Sequence, residues 1–147
     1  ARGVSDFVIV SIHTAADVNA APSRAPDDHQ RFFSRLAITE GADIVVGHQP
    51  HILQQVEKFG DGIIFYSLGI FLYDPAVSSR YPADHPLFNG TQFKGGGILR
   101  LEICDRERYE YELIPTRVAY RGDQLRLESD SPMVYFLTRL WRWFDSD

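Results

Sequence analysis

The chain has 147 residues, 44% of them apolar and 24% charged, with a formal net charge of −5. That length supports one domain with a real core, and the acidic balance excludes a general electrostatic grip on nucleic acid or anionic lipid. The single cysteine, Cys104, excludes an intrachain disulfide and a cysteine-rich zinc site.

Residues 7–12 are continuous, β-branched and too short for a core helix, which predicts a buried strand. Residues 14–26 are rich in Ala, Pro, Ser and Asn and read as a loop. Pro26-Asp27-Asp28 opens a helix with acidic residues in its first turn. Phe32, Phe33, Leu36 and Ala37 are its expected apolar stripe, and Gly41 its end. Residues 43–46 form a second buried strand, followed by the loop Gly47 to His51. A parallel arrangement with a right-handed crossover is the favoured form of such a β-loop-α-β unit.

The pattern then changes. Ile52 to Phe59 is expected to pair with Ile63 to Leu68 across Gly60-Asp61-Gly62. Residues 74–96 carry many proline and glycine breakers and read as a long loop. Ile98 to Ile103 and Tyr109 to Tyr120 read as antiparallel strands turning at Asp105-Arg106-Glu107, with Cys104 as a small buried side chain. Arg121-Gly122-Asp123 marks another turn. Ser131-Pro132 begins a last helix, with Met133, Phe136, Leu137, Leu140, Trp141 and Phe144 at helical spacing, most simply a core stripe. No apolar stretch approaches the ~20 residues that span a bilayer, and no signal peptide is read at the start.

The chemistry concentrates in histidines. His48 and His51 sit in Gly47-His48-Gln49-Pro50-His51, directly after an apolar strand. His13 follows the other apolar run. Imidazole is the commonest protein ligand for first-row transition metals. By itself a histidine pair in a loop is more often incidental than ligating. Parallel strands, however, would bring His13 and His48 to the same carboxyl edge of the sheet, where ligands bind in open α/β folds.

Other polar residues have plainer readings. His29 reads as a surface histidine in the first helical turn. His85 is either a lid residue or an exposed loop histidine, and Asp43 is expected to orient backbone or cap a turn. Glu57 is either a hydrogen-bond partner behind a histidine or an exposed strand carboxylate. Arg80 and Lys94 are expected to meet an anionic substrate from the long loop. Gly95-Gly96-Gly97 lacks the spacing of a phosphate loop and reads as a flexible strand entry.

Several blocks carry a resemblance in the right order: Ser11-Ile12-His13, the run from Gly41 to His51, Gln54, Glu57 and Tyr66-Ser67-Leu68-Gly69. Over roughly residues 6–74 the chain resembles the bacterial capsule-synthesis proteins of the CapA type. These poly-γ-glutamate accessory proteins are related to the calcineurin-like metallophosphoesterases. The resemblance implies an α/β fold, a metallophosphoesterase-like αββα sandwich, of which 1–147 would be a single domain, the carboxy-terminal portion of a larger CapA-like domain.

It further implies a dinuclear centre of Mn, Fe or Zn, with His13 and His48 on one ion and His51 on the other. Such a pair clamps a phosphoryl group and generates hydroxide near neutral pH. Asp17, Glu57 and His85 are the weaker candidates for substrate binding or for orienting the ligands. The implied partners are an anionic polymer or a phosphorylated small substrate and a membrane synthase, with no nucleic acid. The implied location is the cell envelope or the extracellular face.

The chain departs from the family pattern in three ways. The amino-terminal Gly-Asp and Asn-Asn-His motifs are missing. Thr14-Ala15-Ala16-Asp17 stands where Trp-Gly-x-Glu is usual. Ile70 replaces the Asn of Ser-Leu-Gly-Asn-Phe. Two functions are therefore carried forward: a metal-dependent hydrolase of capsule or poly-γ-glutamate synthesis, and a non-catalytic accessory or polymer-binding module with a degenerate metal site.

Overall fold

A computed structural model describes residues 3–14, 23–71, 95–105, 108–121 and 124–128. Strand β1 (Ile9–His13) leads to helix α1 (Asp28–Thr39), then β2 (Ile44–His48), β3 (Val56–Phe59) and β4 (Gly62–Phe65). These strands form one sheet in the order β1-β2-β4-β3. β1, β2 and β4 run parallel, and β3 closes the edge antiparallel to β4. Three further strands, β5 (Gly95–Ile103), β6 (Tyr109–Arg121) and β7 (Gln124–Glu128), form an antiparallel sheet in that order.

The chain is thus an α/β protein, and its local signals explain the elements. Asp27 caps α1 through a capping box: the Gln30 amide donates to Asp27 Oδ1 at 2.8 Å, and the Asp27 amide donates to Gln30 Oε1 at 3.1 Å. Gly41 ends the helix with φ 105°, its amide donating to the Ile38 carbonyl. The β3–β4 hairpin turns at Gly60-Asp61, where Gly60 holds φ 57°.

Side chains alternate across the sheet, so parity sorts its two faces. Val45, Ile64 and Tyr66 pack with Ile38 of α1, supported by Val8, Val10 and Ile12. The odd-parity partner Phe65 points the other way and meets Tyr111 of β6 edge-on, with ring centroids 5.4 Å apart. Phe7 meets Tyr109 in the same manner at 5.3 Å. The helix therefore covers one face of the first sheet, and the second sheet reaches the other. The two sheets join at a bridge between Gly69 and Gly96. A Cβ on Gly69 would lie 2.5 Å from the Gly95 carbonyl oxygen, so the junction admits only glycine there.

Two expectations need correction. Phe32, Phe33 and Leu36 are exposed, at 62%, 48% and 43%, while the buried helix residues are Gln30, Ser34 and Ile38. The helix is rolled so that Gln30 reaches a polar partner, the side chain of Gln54, instead of burying aromatics. Cys104 is exposed, because it lies in the turn beyond β5, where its amide donates to the Arg108 carbonyl. The Gly95–Gly97 run is part of β5 itself. The expected long loop over 74–96 falls mostly outside the described residues, and the expected helix from Ser131 falls outside them entirely.

Candidate functional site

β1 and β2 end on histidines, and the parallel register pairs His13 with His48 directly. Adjacent strands lie about 4.8 Å apart, so the two residues are immediate neighbours at the carboxyl edge. Both share parity with Phe65's face, the side away from α1. His13 is exposed and His48 is half-buried.

The segment after His48 makes a tight, unusual turn. Gln49 and His51 hold positive φ, 98° and 59°, on either side of Pro50. Such backbone costs roughly 1–3 kcal/mol for a non-glycine residue and persists only where the surroundings fix it. Just before the turn, Gly47 leaves no room for a Cβ, which would run into the Tyr66 main-chain carbonyl.

The electrostatics favour neutral rings. Burial lowers the pKa of His48, and the nearby positive form of His13 lowers it further. The same two causes, in the same order, lower that of His51. His13 therefore stands close enough to both to weigh on their protonation. Neutral imidazole is the form that binds a metal. Among the described residues, no group of three His, Cys, Asp or Glu side chains stands close enough to hold an ion.

Two polar networks back the edge. Gln30 Nε2 donates to Gln54 Oε1 at 2.9 Å, and Gln54 Nε2 donates to the Ser23 carbonyl at 2.9 Å. The Gln55 amide donates to the Arg24 carbonyl. These bonds tie the stretch entering α1 to the stretch leaving His51. The second network joins Glu57, Arg35 and Tyr66.

Glu57 pairs in register with Ile64 and so lies on the helix side. Its carboxylate partners are Arg35 and Tyr66. Asp43 does orient backbone: its Oδ2 accepts from the Val8 amide at 2.8 Å. His29 is exposed. Asp17, Arg80, His85 and Lys94 lie outside the described residues. Sequence reasoning missed the strain at Gln49 and His51 and the buried glutamine pair. The signal available was Gln54, which stands within the resembling blocks.

Sheet order and edge define an α/β domain with paired histidines at the ends of its parallel strands. Residues 1–75 match the family model described as bacterial capsule synthesis protein PGA_cap, and the chain belongs to that family. It is 40% identical over 73 residues to the capsule biosynthesis protein CapA of Bacillus anthracis, covering 50% of this chain and 17% of that protein. Against the PGA biosynthesis protein CapA of Bacillus subtilis (strain 168) it is 39% identical over 74 residues, covering 50% and 18%. The uncharacterized protein y4sH of Sinorhizobium fredii (strain NBRC 101917 / NGR234) is 43% identical over 70 residues, covering 48% and 15%. The chain thus spans less than a fifth of the length of these relatives.

Proposed function

We propose that this capsule-synthesis protein serves poly-γ-glutamate or capsule production through a metal-dependent hydrolytic site at the carboxyl edge of its parallel sheet. The observation that carries the reading is the direct register of His13 with His48 at that edge. His51 is the third donor in this reading. Desolvation and the neighbouring His13 lower the pKa of half-buried His48 and of the more exposed His51, which favours the neutral form that ligates.

A mixed histidine edge suits Mn, Fe or Zn better than Ca. Such an ion, when bound, supplies Lewis-acid activation of water and of a phosphoryl oxygen. The chain's own part is to hold the donors on a rigid strand edge. The substrate in this reading is an anionic polymer or a phosphorylated small molecule, and the partner a membrane synthase.

A second reading is a non-catalytic module that binds polymer at the same edge with a degenerate metal site. Two observations favour it: among the described residues no three ligating side chains gather, and the buried Ile70 offers hydrocarbon near the sheet junction.

Titration of the chain with Mn2+, Zn2+ and Co2+ tests the first reading. Expected is weak binding that is lost in a His48→Ala, His51→Ala protein. Binding that is unchanged in that double variant would overturn the assignment of ligands. Polymer binding that persists with no metal would establish the second reading.

A further inference from the structure

Tyr66 follows β4 at the carboxyl edge, and its side chain turns toward α1, the opposite side from His48. Its hydroxyl donates to the Glu57 carboxylate. Glu57 also takes the Arg35 guanidinium, with Nε at 3.3 Å and Nη2 at 2.6 Å. Arg31 lies over the Tyr66 ring, 5.9 Å from its centroid. Burial first, and the bond to Glu57 second, push the Tyr66 hydroxyl far above the usual phenol range. Burial opposes the charge on Glu57, yet the hydrogen bonds from Arg35 and Tyr66 outweigh it and keep the carboxylate ionised. The network therefore has one fixed polarity and spans α1, β3 and the end of β4.

The main chain of the same residue touches the other side of the problem. The Tyr66 carbonyl fills the space beside Gly47 that a Cβ would need. The Tyr66 amide donates to the Gln55 carbonyl at 3.2 Å, and the Ser67 carbonyl accepts from the Gln54 amide at 3.1 Å. Contacts to Tyr66 and Ser67 thus flank the Gly47–His51 segment before and after. Within that segment sit the two positive-φ residues, Gln49 and His51, a backbone that requires over-determined surroundings.

We propose that the Tyr66–Glu57–Arg35 network is a positioning device that locks the Tyr66 main chain and, through it, the backbone presenting His48 and His51. The sheet lies between the network's side chains and the histidines, so the coupling runs through the main chain. The consequence for metal binding rests on the reading of the histidines as ligands. The consequence for the backbone does not.

Amide hydrogen exchange on the 147-residue chain tests the backbone part, with Tyr66→Phe and Glu57→Gln compared against the core control Ile38→Val. Tyr66→Phe keeps the ring and its packing. Relative to the control at matched global stability, both variants are expected to exchange about tenfold faster across residues 47–55, the worth of one hydrogen bond. Equal exchange there in Tyr66→Phe and Ile38→Val would overturn the proposal. Co2+ titration of the same proteins tests the metal part. Expected is affinity about tenfold weaker in Tyr66→Phe, in keeping with other groups that orient ligands, and unchanged in Ile38→Val. Wild-type protein that takes no Co2+ removes the ligand reading and leaves the exchange data to decide the positioning device. Wild-type protein that binds Co2+, with Tyr66→Phe binding it equally well, overturns the positioning of the ligands.

Discussion

His13 and His48 are the last residues of two adjacent parallel strands and face each other in register. Thirty-four residues lie between them in the chain, including all of α1. Only the parallel pairing of β1 with β2 makes them neighbours. Desolvation first, and the neighbouring His13 second, depress the pKa of both His48 and His51.

Stability is therefore expected to fall on mild acidification. In the unfolded chain these histidines titrate near 6.5. A base with a lowered folded pKa binds its proton first in the unfolded state, so its contribution is present above about pH 6.5 and is lost as pH falls through the lowered folded values. Urea midpoints measured from pH 7 to pH 5 should drop more steeply in the wild type than in a His48→Gln, His51→Gln protein. Equal slopes would show that these rings do not sense folding.

Gly47→Ala should be among the most damaging single-methyl additions in the chain. The obstacle is the main-chain carbonyl of Tyr66, which β4's pairing with β2 keeps from yielding. The expected loss is about 3 kcal/mol, read as a lower unfolding midpoint in urea.

Gln49 offers a contrast in which backbone angle, not space, decides. With φ 98°, Gln49→Val should cost about 1–2 kcal/mol, whereas Gln49→Gly should be neutral or mildly stabilising. Thermal unfolding of the pair gives the sign directly. A valine variant as stable as the glycine one would mean that the turn relaxes freely.

The roll of α1 can be checked in the same way. Ile38→Ala should cost about 3 kcal/mol, as a buried aliphatic does, while Phe32→Ser should stay within about 0.5 kcal/mol. A large loss at Phe32 would place that ring under cover.

How much of this was legible beforehand depends on the range of the signal. β1, α1, β2 and the β3–β4 hairpin carry local marks: β-branched runs, an acidic first turn, a glycine stop, a Gly-Asp-Gly turn. The hydropathy pattern points to the wrong face of α1 because three large apolar residues outweigh Gln30 and Ser34. What reversed it was the buried bond between Gln30 and Gln54, a contact 24 residues long. Cys104 is exposed for a different reason, since strand β5 stops one residue before it.

Ordered motifs carry the family, and the residue pattern carries the kinds of side chain at the candidate site and the expectation that His13 and His48 share an edge. Such motifs and patterns are properties of neighbours along the chain. Tertiary structure alone decided the exact register of the two histidines, the positive φ at Gln49 and His51, and the assignment of Glu57 to Arg35 and Tyr66. Each of these depends on a main-chain or side-chain contact between segments distant in sequence: β1 with β2, Gly47 against Tyr66, α1 against β3. No local preference encodes such contacts, because each partner's position is set only when the sheet and helix pack together.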